Sequence, residues 1–271
     1  MLACMVNGEI SEYLAANDRG LAYGDGLFET LVVQGGQPRF WQQHMDRLGL
    51  GCERLGLNMP PQEVLLREAQ TVAAGQPRCV VKIILTRGSG GRGYRPDSGG
   101  TVRRVVSAHP MPGDLDEIHR NGVAARTCSI QLGFQPALAG VKHLNRLEQV
   151  MAGRELSATP GLEGILTDQA GYINSALSGN VFLVSDGRLL TPRMDRCGVH
   201  GVLRGLVLRD HKTRCELRRV HPNLLDEADE VFMTNVVRGV IPVVSIDDRQ
   251  FEAGPVTRDM QDWFREISEG S

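Results

Sequence analysis

The chain has 271 residues, and its 30 Lys and Arg against 32 Asp and Glu leave a formal net charge of −2. That length suits one large or two modest domains with a buried core, and the near-balanced charge gives no electrostatic case for binding nucleic acid or an anionic membrane. No apolar run approaches the roughly 18 residues of a membrane span, Met1-Leu2-Ala3-Cys4 does not open a signal peptide, and six scattered cysteines without a CxxC pair fit reduced thiols in a cytoplasmic protein.

In chain order, Cys4-Met5-Val6, Asn7-Gly8 and Glu9-Ile10 read as a hairpin with an Asn-Gly turn. Residues 17–26 are too rich in turn formers for an element, yet they carry Tyr23 and charged residues, as functional loops and plain connectors both do. Leu27 to Val33 predicts a strand, Gly35-Gly36 a turn, and Arg39-Phe40-Trp41 a returning strand. His44 to Leu55 predicts a helix with Arg47 one turn after His44. A second helix is expected from about Pro61 to Ala74, with proline in its first turn and Gly75 at its end.

Cys79 to Leu85 is an apolar run of strand length, and Lys82 within it reads as an edge or snorkelling lysine. Gly88, Gly90 and Gly93 then match GxGxxG. The context argues against dinucleotide binding, because Tyr94-Arg95-Pro96-Asp97-Ser98-Gly99-Gly100 cannot open a helix. What remains is a glycine loop bearing Arg87 and Arg92. Thr101 to Ala108 predicts a strand, and the Pro/Gly-rich stretch after it the domain boundary. The expected organisation is an N-terminal α/β domain over 1–108, a linker over 109–122, and a C-terminal domain over 123–271 that carries Lys142.

Val123 to Ile130 predicts a strand. A loop with Pro136 and Gly140 runs into Lys142, and Leu144, Leu147 and Met151 follow at helical spacing. Apolar surroundings disfavour the charged form of such a lysine, and a neutral amine is what Schiff-base chemistry needs. A surface lysine at a helix start carries the same local features. Lysine is scarce here, with Lys82, Lys142 and Lys212 against a large excess of arginine. Glu163–Thr167 with Tyr172–Ala176 predicts one hairpin, and Val181–Val184, Asp186-Gly187 and Arg188–Leu190 a clearer one. Cys197 and His200 stand at a ligand spacing, but no second pair completes a zinc site, and no metal is expected. Gly198 and Gly201 open a helix to about His211, whose free N–H groups suit a phosphate, although convenient glycines at a helix start look the same. Glu230–Thr234 and Val240–Ile246 predict strands and Val256–Ile267 an amphipathic helix.

Taken together, Asp18-Arg19, Tyr23-Gly24-Asp25-Gly26-Leu27-Phe28-Glu29-Thr30, Arg47, the Lys142–Val150 run, Asn180-Val181-Phe182 and Gly198-(x)2-Gly201-Val202-Leu203-Arg204 resemble the fold-type-IV pyridoxal-phosphate family. That family includes D-amino-acid and branched-chain aminotransferases and aminodeoxychorismate lyase; the Arg87–Tyr94 loop and the Lys142–Val150 run most resemble the lyase. The resemblance implies an α/β (α+β) architecture of two domains, the smaller N-terminal and the larger C-terminal and barrel-like, with pyridoxal 5'-phosphate in the cleft between them and usually a homodimer. It implies that Lys142 forms the Schiff base with the cofactor and shuttles protons. Arg47, the N–H groups of Val202 and Leu203, and Thr234–Asn235 would hold the phosphate. Tyr23 and Phe28 would lie on the substrate side of the ring, and Arg92 and Tyr94 would meet a substrate carboxylate.

One expected group is missing. Family members carry a glutamate five residues before the Asn of Asn-x-Phe, where this chain has Ser175. A hydroxyl hydrogen-bonds the pyridine nitrogen without holding it protonated, which weakens the ring as an electron sink. Transamination depends heavily on that sink, whereas lyase chemistry on 4-amino-4-deoxychorismate, a step of folate biosynthesis, is driven by aromatisation. The expected activity is therefore the lyase. An aminotransferase or a catalytically weakened cofactor binder are the alternatives, with Asp168 or Glu163 as acids that would compensate for Ser175.

Overall fold

The computed structural model describes residues 1–91, 93–96 and 101–269. The chain divides into two compact units, one of residues 1–111 with Val141–Asn145, the other of 112–140 with 146–271. The expected division placed Lys142 with the C-terminal part; its segment packs with the first unit instead.

The first unit is an antiparallel sheet with helices against it. Its elements are β1 (Ala3–Val6), β2 (Glu9–Ile10), α1 (Arg19–Tyr23), β3 (Gly26–Gln34), β4 (Gln37–Pro38), α2 (Trp41–Leu55), α3 (Gln62–Val72), β5 (Arg78–Thr86) and β6 (Arg103–His109). The strand order is β2-β1-β6-β5-β3-β4. Asn7 and Gly8 both take positive φ (52° and 90°), as a two-residue turn between twisted strands requires. β5 is central, paired along its length with β3 and β6. Lys82 is thus on no edge; its ammonium lies 5.1 Å from the Phe28 ring centroid. The strand expected at Arg39–Trp41 ends at Pro38, because Phe40 turns left-handed (φ 54°) and the chain enters α2 at Trp41. Residues 17–26 do contain an element: α1, capped by the Asp18 carboxylate accepting from the Gly20 N–H at 2.8 Å. Leu27, Leu31 and Val33 of β3 pack with Met45, Leu48 and Cys52 of α2 and with α3 in one apolar core.

The second unit comprises α4 (Leu115–Asn121), β7 (Val123–Leu132), α5 (Leu147–Leu156), β8 (Glu163–Asp168), β9 (Ile173–Ala176), β10 (Asn180–Ser185), β11 (Arg188–Pro192), α6 (Val202–Asp210), β12 (Cys215–Arg218), a 3-10 turn at Pro222–Glu227, β13 (Glu230–Asn235), β14 (Gly239–Ile246), β15 (Arg249–Gln250) and α7 (Pro255–Glu269). The strands follow the order β12-β11-β10-β13-β14-β7-β8-β9, with β15 on β14. β7 runs parallel to β8 and β14, and β11 to β12; the other pairs are antiparallel. The sheet curls until β9 lies against β10 and β11, giving the mixed, barrel-like arrangement expected. Asp186-Gly187 makes the β10–β11 turn with both φ positive. The stretch expected to be a bare linker holds α4, whose Ile118 joins the core of the curled sheet. The helix expected to begin directly after Lys142 begins at Leu147.

Candidate active site

Lys142 is held by main chain before side chain. Phe28 N–H donates to the Lys142 carbonyl at 3.0 Å, Leu144 N–H donates to the Gly26 carbonyl at 3.0 Å, and Leu27 and His143 form an antiparallel bridge. β4 covers only Val33–Gln34, the far end of β3, so the first residues of β3 are paired on that side by this later segment. The apolar spacing of Leu144 thus belongs to a strand-like pairing. Buried Val141 anchors it in the core, and Asn145 Nδ2 donates to the Gly24 carbonyl at 3.1 Å. A side chain at Gly24 would collide with that amide at 2.4 Å. The Lys142 ammonium nitrogen lies 4.2 Å from the Phe28 ring centroid, so both residues of the expected set meet in this unit.

Behind them is a buried ionic cluster. Glu29, on the core-facing parity of β3, is 1% exposed. Arg47 of α2 grips its carboxylate in a fork, Nε at 2.8 Å and Nη2 at 2.5 Å. His44, one turn earlier on α2 and fully buried, closes on the same carboxylate through Nδ1 at 2.6 Å. Burial pushes the Glu29 carboxyl upward, but the Arg47 charge and the bonds from Arg47 and His44 outweigh it and hold it at about 2. Burial pulls the His44 imidazole below its usual range against the opposing pull of Glu29, and the Arg47 and Lys142 charges add to the lowering. Neutral His44 then donates through Nδ1, leaving Nε2 as a buried acceptor without a hydrogen-bond partner among the described residues. Sequence reading assigned no role to Glu29 or His44. The available signal was an acid on the inward parity of an apolar strand, followed by a His and an Arg on one face of the next helix.

Tyr23 lies on α1, its ring 5.7 Å and edge-on from that of Tyr94, and its hydroxyl accepts from the Gly93 N–H at 3.0 Å. Buried Arg19 donates to the carbonyls of Gly93 (2.9 Å) and Tyr94 (3.2 Å) and ion-pairs with Asp25 at 2.9 Å. These bonds tie the glycine loop to α1. Tyr94 itself is 88% exposed. Arg92 lies outside the described residues.

In the second unit, α6 starts at Gly201 with no side-chain cap, so the N–H groups of Val202 and Leu203 are presented by the helix terminus itself. The Asn180 side chain occupies the place of a Cβ on Gly201, 2.0 Å from its ideal position, while Asn180 Nδ2 donates to the Val199 carbonyl at 3.0 Å. Across the β10–β13 ladder, Asn180 pairs with Thr234. The Thr234 hydroxyl is buried and has no hydrogen-bond partner among the described residues. Helix terminus, amide and unsatisfied hydroxyl together can receive an anion. The Asn235 side chain accepts from the N–H groups of Val237 and Arg238 and donates through Nδ2 to the Ser178 carbonyl.

Ser175 is 8% exposed on β9, paired with Leu166, and its hydroxyl bonds to no described residue. Both candidate compensating acids are engaged elsewhere. Glu163 accepts from Ser178 Oγ at 2.9 Å and Arg238 at 3.3 Å, and Asp168 accepts from the N–H groups of Ala170 and Tyr172. Cys197 accepts from Asn174 Nδ2, and His200 Nε2 bonds the Met194 carbonyl.

The model of the family described as amino-transferase class IV matches residues 26–246. The aminodeoxychorismate lyase of Vibrio harveyi is 33% identical, over 94% of this chain and 97% of that protein. The putative branched-chain-amino-acid aminotransferase of Methanocaldococcus jannaschii is 29% identical, over 92% and 89%. Among solved structures, the 4-amino-4-deoxychorismate lyase of Pseudomonas aeruginosa superposes with a TM-score of 0.92 at 40% identity, covering 97% of this chain and 98% of that one. The chain belongs to the class IV amino-transferase family.

Proposed function

We propose that the protein is a pyridoxal 5'-phosphate-dependent lyase that converts 4-amino-4-deoxychorismate to 4-aminobenzoate and pyruvate, a step of folate biosynthesis. The relatives carrying that activity in their names, at 33% and 40% identity over nearly the whole chain, support it. One observation carries the choice of reaction: position 175 holds a serine, 8% exposed, whose hydroxyl bonds to no described residue, while Glu163 and Asp168 are both engaged elsewhere.

The described residues fit the cofactor. Thr234 has a buried hydroxyl that needs a partner, and α6 has an uncapped terminus; both suit a phosphate. Arg47, in the first unit, is proposed for the phosphate on the family resemblance, and its Nε and Nη2 are already fixed by Glu29. Ser175 would serve the pyridine nitrogen as a neutral partner. When bound, the cofactor supplies an aldehyde that condenses with amines and a conjugated ring that withdraws electrons.

The rest is work for this chain's own groups. Lys142 Nζ, 4.2 Å from the Phe28 ring centroid, would hold the cofactor. In the reaction Nζ takes the proton from the ring carbon that bears the substrate amine. The bond from the ring to the enolpyruvyl oxygen breaks, and Nζ returns the proton to the departing three-carbon group, which leaves as pyruvate. The substrate divides into its two products with no water, oxidant or second amine consumed. Tyr23 and Phe28 would border the substrate and Tyr94 would meet a carboxylate, a role that the resemblance also gives to Arg92, outside the described residues.

Purified protein incubated with aminodeoxychorismate and no keto acid should release pyruvate and 4-aminobenzoate in equal amounts. A strict requirement for a keto acid, with no pyruvate released, would make it an aminotransferase. Borohydride should fix the cofactor on the peptide containing Lys142; fixation on Lys82 or Lys212 would overturn the lysine assignment. The proposed assembly is a homodimer, favoured by Leu147, Val150 and Met151 of α5, which are 75%, 55% and 48% exposed. A monomeric mass in light scattering would reject it. The six cysteines are all free, which fits a cytoplasmic location, and among the described residues no helix is long and apolar enough to cross a membrane.

A further inference from the structure

Two arginines of the described chain are almost wholly buried, Arg19 at 4% exposure and Arg204 at 5%. Arg19 has the carboxylate of Asp25 at 2.9 Å. Arg204 has none. Its Nη2 donates to the Pro192 carbonyl at 2.9 Å and its Nε contacts the Thr191 hydroxyl at 3.3 Å, and no Asp or Glu of the described residues ion-pairs with it. A buried charge without a counter-charge is costly, and proteins ordinarily pair it or do without it.

Arg204 stands third in α6, and helical side chains lean toward the helix N-terminus. Its own turn therefore carries the uncapped N–H groups of Val202 and Leu203. Its anchor belongs to the same framework as the rest of the cradle. Thr191 donates to the Val181 carbonyl, and the neighbouring Asn180 touches Gly201 and pairs with Thr234. Burial pulls the guanidinium down to about 10, so it remains a cation at neutral pH. Cys215, the ionisable neighbour, is a thiol that burial itself keeps protonated.

We propose that Arg204 is the buried counter-charge of the cofactor phosphate, raising affinity for a phosphate dianion at the start of α6 through its field rather than by contact. The proposal rests on reading that helix terminus as the phosphate site. The competing account is that Arg204 only ties β11 to α6.

The test uses the full chain freed of cofactor, its Arg204→Lys, Arg204→Gln and Arg204→Met variants, and three probes: inorganic phosphate, pyridoxal 5'-phosphate, and pyridoxal, which lacks the phosphate. Arg204→Lys should bind all three within threefold of the parent. Arg204→Gln and Arg204→Met should bind phosphate and pyridoxal 5'-phosphate at least tenfold more weakly, about 1.4 kcal/mol, and pyridoxal within twofold. The proposal fails if the neutral variants keep the parent's phosphate affinity, if the Lys variant loses as much as the Gln variant, or if pyridoxal binding falls in step. If neither neutral variant folds while Arg204→Lys does, the charge serves the fold and not the anion, and the proposal is again wrong. A parent protein that ignores inorganic phosphate and binds pyridoxal as tightly as its phosphate ester overturns the phosphate-site reading itself. Normal discrimination by the parent with unchanged variants removes only the role given to Arg204.

Discussion

Glu29→Gln is the sharpest perturbation of the buried cluster, because one carboxylate there serves two basic partners. Its folded value of about 2 lies well below the ordinary 4.5, a lowering that corresponds to roughly 3 kcal/mol of folding free energy at about 1.4 kcal/mol per pH unit. The folded value is the lower one, so this stability is present above pH 4.5 and lost as pH falls toward 2, with about 2 kcal/mol gone by pH 3. His44 is also lowered from 6.5, so its contribution acts in the same direction and begins to be lost below pH 6.5. Glutamine keeps the size and one acceptor but removes the carboxylate charge that faces Arg47, whose side chain is only 12% exposed. Urea unfolding would be followed by Trp41 fluorescence in a Trp263→Phe background, so that the first unit alone reports. The variant should be about 3 kcal/mol less stable at pH 7, and its stability should change much less than the parent's between pH 5 and pH 3. A loss below about 1 kcal/mol at pH 7, or an unchanged slope between pH 5 and pH 3, would refute the reasoning.

Arg47→Ala should weaken pyridoxal 5'-phosphate binding by about 1.5–3 kcal/mol, as for a lost hydrogen bond to a charged group, with stability falling too because Glu29 loses its fork; an apparent dissociation constant within about twofold of the parent would remove Arg47 from the phosphate site. Thr234→Val should cost about 1.5–3 kcal/mol of cofactor affinity yet leave the cofactor-free protein equally stable or more so, since it deletes a buried hydroxyl without a partner; titration and thermal melts of both proteins check the two halves. Ser175→Glu should bring half-transamination of D- or L-alanine, read as a change in cofactor absorbance, with little change in lyase rate. A variant that melts earlier and gains no such activity would mean Ser175 does not face the ring nitrogen.

What could be read from the sequence was whatever local chemistry decides. Asn7-Gly8 and Asp186-Gly187 fix their hairpins because two successive positive φ values select those residues. The apolar run around Ile83 is a strand because nothing else buries it on both faces. Failures came where distant partners decide. Leu144 fits a helical period with Leu147 and Met151, yet Leu144 pairs with Gly26 and only the later residues enter α5. Pro110 and Pro112 suggest an unstructured linker, but the short α4 follows because Ile118 finds the second unit's core. The family was legible through runs that span the chain, those around Lys142 and Gly201-Val202-Leu203 among them. The Glu29–His44–Arg47 cluster was not, because a strand and the following helix must first pack before those side chains meet.

The pairing of residues 142–144 with the start of β3 also sets an order of events during synthesis. Phe28 leaves the ribosome long before its partner: at 5–20 residues per second, the intervening chain takes on the order of ten seconds to follow. Until then the nascent first unit can form most of its sheet, but Gly26–Phe28 must wait for the partner that β4 does not supply. The arrival that completes this pairing is also the arrival of the amine. The first unit thus reaches its finished form and receives the Lys142 nitrogen in a single step, and no earlier fragment of the chain can hold that nitrogen against Phe28.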